Sequence, residues 1–293
     1  MGRICVRLVC MLTAACMMAT AGAAAETAVA WLGDTCASLS GGYAGLSAQM
    51  DWIVGHAEEE SLRFVIHAGH IVCDWNDAKQ WQDAANVLGK LDGKVAYSLL
   101  AGYDRIGHRM SDYAPFLDGY AKRRMAETDV LWYENGIANA QLVDTAQGDM
   151  LILSLSWTPA VCELRWADRI LEQYADIPVI LALNRYLNPG GQMGTIGAGI
   201  RNALLERHEN VRLVLCAHGE GGVWTVEEEA CASREIKRAV PVLGLGMAAA
   251  SDAGKSLWIL RLDEETDSLM LESRAIDGKS EEPVWTISTA EWF

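Results

Sequence analysis

The sequence predicts an α/β domain. Short apolar runs of strand length alternate with segments of helical periodicity along most of the chain. Glycine or a polar residue follows most of the apolar runs, and 51% of the residues are hydrophobic, enough for a sizeable core. The chain has six prolines, no low-complexity linker and no internal repeat. We therefore expect one domain, over residues 26–293, after an N-terminal export signal.

Residues 1–25 have the pattern of a secretory signal peptide. Two arginines precede an apolar run from Leu8 to Ala21, and Ala23–Ala25 provide the small residues that signal peptidase requires. A membrane anchor is the alternative, but the run is shorter than the roughly 20 residues that span a bilayer. Lipidation at Cys16 is less favoured, because Thr13 stands where a large aliphatic residue is needed. We expect a secreted or extracytoplasmic protein with no membrane span after cleavage.

The elements follow from hydrophobic periodicity. In the first helix, Met50, Ile53, Val54 and Ala57 recur at helical spacing. Beyond residue 257 the apolar residues alternate, which predicts antiparallel strands over about 257–293 that complete the sheets. The predicted helices are Ser47–Glu60, Ala78–Leu91, Cys162–Tyr174 and Ile200–Arg207. The predicted strands before residue 257 are Ala28–Leu32, Arg63–His67, Val95–Leu100, Asp149–Leu155, Pro178–Leu183 and Val211–Cys216.

Charge and cysteine content exclude several classes of protein. The formal net charge of −15 repels nucleic acid backbones and anionic membranes, so we expect neither as a partner. Outside the signal, the cysteines form no CxxC pair, which argues against a zinc ribbon. One disulfide is compatible with an exported protein, but spacing does not pair it. These cysteines are Cys36, Cys73, Cys162, Cys216 and Cys231.

Polar residues follow the carboxyl ends of five predicted strands. They are Asp34, His70, Asp104, Asn184 and His218. In open α/β sheets, sites form at these ends, so the five residues are expected to converge. Each taken alone is explained equally well as a turn residue.

These residues lie in the segments Trp31-Leu-Gly-Asp-Thr35, Phe64-Val-Ile-His-Ala-Gly-His-Ile-Val72, Ala101-Gly-Tyr-Asp104, Leu183-Asn-Arg-Tyr-Leu187 and Leu215-Cys-Ala-His-Gly-Glu220. In order and spacing, the segments resemble the motifs of the calcineurin-like metallophosphoesterases, in particular secreted bacterial members. The resemblance implies a four-layer sandwich of two mixed β-sheets flanked by helices, two metal ions, and hydrolysis of phosphoesters by a metal-bound hydroxide.

The metal ligands of that family are largely substituted in this chain. Asp34 and His218 match the family's ligands, whereas His70 replaces the bridging aspartate and Asn184 replaces the lone histidine. Cys36 stands where many members carry a ligand histidine. A neutral imidazole does not bridge two cations as a carboxylate does, so a dinuclear centre is not expected.

The catalytic motif is substituted as well. Tyr103 stands at the asparagine ligand, Asp104 at the catalytic histidine and Arg105 at the following aspartate. Glu220 replaces the second histidine of the final motif. Asp104 is therefore the candidate catalytic residue, although a carboxylate lacks the near-neutral pKa of histidine.

Three functions are compatible with these residues. The first is a pseudo-phosphoesterase with weak or no hydrolase activity, whose partner is a phosphoester or glycan outside the cytoplasm. The second is a hydrolase with a rearranged, mononuclear site that binds one divalent metal, Zn, Mn, Fe or Ca. The third is a glycan-binding module that uses Trp75 and Trp81 as exposed aromatic residues. The candidate metal ligands are Asp34, Cys36, His70, Asn184, His218 and Glu220, with Glu220 or Asp104 as general base and Asp74 as a replacement carboxylate.

Two minor expectations complete the sequence-based picture. The glycines from Gly190 to Gly199 lack the Lys-Ser/Thr of a P-loop and predict a flexible loop beside the site. His56, His108 and His208 lie outside any motif and are expected at the surface.

Overall fold

The structure of the chain is a computed structural model. The residues it describes are 26–33, 35–36, 43–74, 76–100, 129–133, 136–145, 148–188, 190–217, 223–233, 236–245, 256–263, 268–276 and 280–288. The predicted signal peptide lies outside these ranges and stays a prediction.

The first sheet has six strands in the order β13-β12-β11-β1-β2-β3. Strands β1, β2 and β3 are parallel, whereas β11, β12 and β13 join them as an antiparallel extension. The apolar runs predicted as strands are nearly completely buried, as expected for strands covered on both faces. The strands are β1 (Glu26–Leu32), β2 (Leu62–His67), β3 (Ala96–Leu99), β11 (Ser256–Asp263), β12 (Ser268–Ala275) and β13 (Ser280–Ser288).

The second sheet has seven strands in the order β4-β5-β6-β7-β8-β10-β9. Strands β6, β7, β8 and β10 run parallel, and the other three pair antiparallel. Both sheets are therefore mixed. The strands are β4 (Val130–Tyr133), β5 (Ala138–Thr145), β6 (Gly148–Ser154), β7 (Val179–Leu183), β8 (Val211–Cys216), β9 (Val223–Ser233) and β10 (Ile236–Leu245).

Helices connect the parallel strands. Helices α1 (Ala44–His56) and α2 (Ala78–Leu88) link β1 to β2 and β2 to β3, and α3 (Val161–Gln173) and α4 (Thr195–Ile200) do the same for β6 to β7 and β7 to β8. Parallel crossovers are right-handed, so the two helices of each sheet pack on one face. The opposite faces of the two sheets meet, which gives the four-layer sandwich that the sequence predicted.

Polar side chains of β5 donate hydrogen bonds to backbone carbonyls of the edge strand β3 and so connect the two sheets. Asn139 Nδ2 donates to the Leu99 carbonyl at 3.4 Å, and Gln141 Nε2 donates to the Tyr97 carbonyl at 3.1 Å. Both side chains are buried. An edge strand exposes unpaired backbone groups, and burying them without a partner costs free energy. The amides of β5 thus allow β3 to end the first sheet inside the protein.

A buried charge cluster fastens the antiparallel extension to the turn after α1. Arg261 on β11 is 6% exposed; its Nε donates to Glu272 at 2.8 Å, and Nη2 pairs with Glu60. Arg274 lies 3.0 Å from the same Glu60 carboxylate. Burial alone lowers the pKa of Arg261, but the hydrogen bonds and charges of these carboxylates outweigh it and raise the pKa.

Predicted and observed elements agree best where periodicity is strong. Helix α2 and a short 3₁₀ turn, Gly89–Leu91, together cover the predicted helix 78–91. Strands β4, β5, β9 and β10 were not predicted. Strand β4 has only four residues, and the other three mix polar or charged residues with apolar ones without alternation over their full length. Among the described residues, no helix is long and apolar enough to cross a membrane.

The glycine-rich segment corrects one expectation. Gly197 and Gly199 lie in α4 and not in a flexible loop, and the helix continues as a π-turn over Arg201–Leu205. Gly197 is buried; a Cβ there would lie 2.4 Å from the backbone oxygen of Tyr186. A glycine at this position lets α4 pack directly against the loop after β7.

Candidate functional site

The candidate site lies where the carboxyl ends of both sets of parallel strands meet. We call this surface the carboxyl-end rim. It consists of the described residues that directly follow β1, β2, β6, β7 and β8, namely 33, 35–36, 68–74, 155–157, 184–188 and 217. Asn184 joins its two halves, because its Nδ2 donates to the carbonyl of Ala68 at 2.7 Å. The structure therefore brings the segment of Asn184 next to the segment of His70.

Asn184 has a side-chain acceptor that no residue in the described part of the chain uses. The residue is 2% exposed, and its backbone oxygen accepts from the Ala217 amide at 3.0 Å. Its side-chain Oδ1 is buried and has no hydrogen-bond partner among the described residues. Burying an unpaired polar atom costs free energy, and such atoms in native structures need an explanation. A cation, a water molecule or an N–H or O–H group of a ligand would satisfy Oδ1.

His67, at the end of β2, was missed by the sequence reasoning. Its Nδ1 accepts from the Gly69 amide at 3.0 Å, so its Nε2 carries the proton and donates to Thr35 Oγ1 at 2.9 Å. Burial first, and the nearby charge of His70 second, lower the pKa of His67 to about 3. The imidazole is therefore neutral, with both nitrogens occupied. A histidine inside an otherwise apolar strand is the signal that would have identified it.

The backbone at His70 is folded into a tight turn that touches the segment after β1. Gly69 and His70 both have positive φ, 90° and 55°. Glycine adopts this region readily, and histidine does so more often than most residues. The turn directs the His70 carbonyl to the amides of Thr35, at 3.3 Å, and Cys36, at 3.0 Å. The backbone of His70 thus ties the two loops together.

Cys36 forms a disulfide with Cys73, with Cα atoms 4.9 Å apart. The expectation that Cys36 is a metal ligand is wrong for this state, because a disulfide sulfur has no thiolate to offer. Asp74 is exposed, and its Oδ1 accepts from the amide of Asn76 at 3.0 Å; its role as a replacement carboxylate stays a prediction.

A cation and an aromatic ring lie together on the second sheet's side of the rim. The guanidinium carbon of Arg185 lies 5.7 Å from the ring centroid of Trp157, within the range of a cation–π contact. Arg185 is exposed. Glu163, buried in α3, accepts from the Ser156 amide and hydroxyl, each at 2.7 Å, and so holds the segment that carries the tryptophan.

The remaining predicted site residues lie outside the described ranges. They are Asp34, Asp104, His218 and Glu220, together with Tyr103 and Arg105. Among the residues that the structure does describe, no three His, Cys, Asp or Glu side chains converge to hold a metal ion. In the described part of the rim, the buried Oδ1 of Asn184 is an amide oxygen with no hydrogen-bond partner among the described residues.

Two surface predictions need correction. Trp81 is 8% exposed and belongs to the core, so it is not available to stack on a sugar; Trp75 lies outside the described residues. His208 is also 8% exposed, and its Nε2 lies 2.7 Å from Asp168 Oδ1 on α3. Both side chains face neighbouring elements that periodicity alone did not place.

Comparison with known proteins supports the fold. No protein family profile matches the chain. Among curated proteins, it is 26% identical over 183 residues to the uncharacterized protein YvnB of Bacillus subtilis (strain 168). That alignment covers 61% of this chain and 14% of YvnB, so the chain spans only a small part of that relative.

Two solved structures share the architecture. The purple acid phosphatase PPD1 from yellow lupin (Lupinus luteus) seeds has a TM-score of 0.59 and 14% identity over 90% of this chain and 54% of its own. GAP50, described as the anchor in the inner membrane complex of Plasmodium, has a TM-score of 0.57 and 12% identity over 90% and 89%. At such identities the likeness shows the fold alone, and that fold is metallophosphoesterase-like.

Proposed function

We propose that this chain is an exported protein that uses a metallophosphoesterase-like fold to bind a ligand, with weak or no hydrolase activity. One observation carries the proposal. The loops after β1 and β2 are joined by the Cys36–Cys73 disulfide and by hydrogen bonds to the His70 carbonyl. In the resembling family, these loops supply ionised ligands to two metals.

The donor chemistry of these loops supports a binding role. Two cations about 3.5–4 Å apart need a bridging carboxylate to screen their repulsion. This chain has His70 at that position, a disulfide sulfur at Cys36, and a neighbouring His67 whose two nitrogens are occupied. The described residues therefore do not fit a dinuclear centre, and we assign no hydrolytic step to one.

The fold is compatible with either role. Its solved neighbours include a phosphatase and a protein described as an anchor. A fold does not by itself define a function, because function depends on the groups at the site. The proposal therefore depends on the rim residues and not on the fold alone.

The ligand class follows from the charges at the rim. The net charge of −15 disfavours polyanions such as nucleic acid, but Arg185 offers one local cation beside the Trp157 ring. A guanidinium binds oxyanions through paired donors, and an indole face packs against sugar rings. We propose a small phosphoester or an acidic glycan outside the cytoplasm as the ligand.

The unpaired oxygen of Asn184 favours a second candidate, a hydrolase with one metal ion. Amide and carboxylate oxygens suit hard divalent cations, and imidazole suits Zn, Mn or Fe. Asn184, Asp34 and His218, with His70 or Glu220, would hold such an ion. When bound, the ion would supply a Lewis acid to a phosphoryl oxygen.

Metal content and turnover of the mature chain, residues 26–293, decide between the two candidates. The protein is exposed to Zn, Mn, Fe or Ca, freed of unbound metal, and assayed by mass spectrometry for metal and with bis(p-nitrophenyl) phosphate for hydrolysis. The proposal predicts substoichiometric metal and no turnover above that of buffer with the same ion.

Matched variants identify the source of any signal. Asn184→Ala and His218→Ala remove candidate ligands, and His56→Gln changes a histidine on α1 away from the rim. Stoichiometric metal and turnover that disappear in the first two variants and persist in the third would overturn the binding proposal and establish the mononuclear hydrolase.

A further inference from the structure

We propose that the Cys36–Cys73 disulfide holds the candidate site together in place of a metal centre, so that reduction of the disulfide, and not removal of metal, loosens the rim. This inference goes beyond the proposed function, because it concerns what positions the site and holds whether the ligand is bound or hydrolysed.

The disulfide lies at the centre of a set of contacts between the loop after β1 and the loop after β2. The Thr35 and Cys36 amides both donate to the His70 carbonyl. Thr35 Oγ1 accepts from His67 Nε2 at 2.9 Å, and the other nitrogen of His67 accepts from Gly69. Each loop is therefore bound to the other by one covalent bond and three hydrogen bonds.

The same contacts use up groups that a metal would need. Coordination requires a thiolate, a free ring nitrogen or an ionised oxygen. Both sulfurs are in the disulfide, and both His67 nitrogens have protein partners. A bound metal cross-links the loops that supply its ligands and so fixes their positions. In this chain the disulfide cross-links the two loops instead.

The disulfide is open to reaction from solvent. Cys73 is exposed and Cys36 is half-buried. An added dithiol attacks one sulfur, passes through a mixed disulfide, and leaves two protein thiols while it becomes a disulfide itself. Two electrons and two protons go to the protein sulfurs, so the exchange is balanced. An oxidising compartment, as expected for an exported chain, keeps the bond formed.

Hydrogen exchange at Thr35 and Cys36 tests the proposal on the full mature chain. Peptides that cover 33–36 and 67–74 are followed in oxidised protein, in protein reduced with a dithiol, and in oxidised protein treated with EDTA. Reduction should accelerate exchange at the two amides at least tenfold, which corresponds to about 1.4 kcal/mol of lost protection. EDTA should leave it unchanged, and β8 (Val211–Cys216) should keep its protection throughout.

Two variants separate the disulfide from general thiol effects. The double variant Cys36→Ser/Cys73→Ser should exchange like reduced wild type, and Cys162→Ser, which removes an exposed free thiol on α3, should exchange like oxidised wild type. If the double variant does not fold, reduction of the wild type answers the same question.

Two results would overturn the inference. One is faster exchange at these amides after EDTA treatment of oxidised protein, which would show a metal in the positioning role. The other is unchanged exchange after complete reduction. Neither readout uses turnover, so failure here is distinct from failure of the proposed binding function.

Discussion

Gly197→Ala should destabilise the protein, although alanine is the better helix former. A Cβ at position 197 would lie 2.4 Å from the Tyr186 oxygen, and real Cβ contacts of this kind begin near 3.0 Å. The obstacle is a backbone carbonyl, which cannot rotate away as a side chain can, and it also accepts from the Gly194 amide at 3.3 Å. Helix α4 and the loop after β7 must therefore separate.

The magnitude follows from two opposing effects. Overpacking costs about 1–3 kcal/mol, and a rigid backbone obstacle places this site near the upper end. The higher helix propensity of alanine stabilises the helix by about 1 kcal/mol relative to glycine. We expect a net loss of about 2 kcal/mol in the free energy of unfolding at Gly197. Gly199 is in the same helix, is exposed and has no atom within 4 Å of an added Cβ, so Gly199→Ala should gain about 0.5–1 kcal/mol.

Urea unfolding of the wild type and both variants measures the difference. Equal m-values across the three proteins would show that only native stability has changed. The two variants should lie on opposite sides of the wild type and differ by roughly 3 kcal/mol. A Gly197→Ala protein as stable as Gly199→Ala would refute the close approach of α4 to Tyr186. It would also put in question the position of the loop after β7, which includes Asn184.

Three further predictions follow from buried groups. Burial lowers the pKa of His67 to about 3 in the folded protein, against about 6.5 when unfolded. The free energy of unfolding is therefore unaffected by this group above pH 6.5 and decreases as the pH falls from 6.5 towards 3, because only the unfolded state takes up the proton there. The decrease, on the order of 4 kcal/mol, should appear in the pH dependence of unfolding of the wild type and be absent from His67→Gln. Burial raises the pKa of Cys216 to about 12, so iodoacetamide at pH 8 should label exposed Cys162 and spare Cys216 until the protein unfolds, whereas equal labelling of folded protein would contradict its burial. Glu163→Gln should lower the free energy of unfolding by about 2 kcal/mol, because the new amide N–H₂ would face one of the two Ser156 donors that Glu163 accepts from at 2.7 Å. Glu172→Gln, at an exposed position of the same helix, should change the free energy of unfolding little. Similar urea midpoints for the two variants would rule out a stabilising role of Glu163.

The sequence predicted the helices and strands whose own residues show a clear hydrophobic pattern. Strands β1, β2 and β7 are largely apolar runs, and α3 has apolar residues at helical spacing; all four were placed within two residues of their observed ends. Helix α2 begins at its predicted residue and ends three residues before its predicted end, where the 3₁₀ turn Gly89–Leu91 follows. The four-layer arrangement came from resemblance and is confirmed by the structure. Strand β5 was missed, because the amides Asn139 and Gln141 replace apolar residues where it faces β3.

Part of the candidate site could also be predicted. The positions of His70 and Asn184 after strands of the two sheets suggested convergence, and the hydrogen bond from Asn184 to Ala68 shows that their segments meet. The role of Cys36 could not be predicted, because five cysteines allow several pairings and spacing does not choose among them. His67 was overlooked because it lies inside the strand and not after it.

The sequence by itself determined the class of fold, the acidic charge that disfavours polyanionic partners, and the strand ends at which a site would form. These properties depend on composition and on periodicity within about ten residues, which a single sequence displays directly. Only the tertiary structure decided the Cys36–Cys73 pairing and the burial of the Asn184 oxygen, which lacks a partner among the described residues. It also decided the contact between Glu60 and Arg261, which are 201 residues apart in the chain. Such contacts depend on which distant segments packing brings together, and no local pattern records that choice.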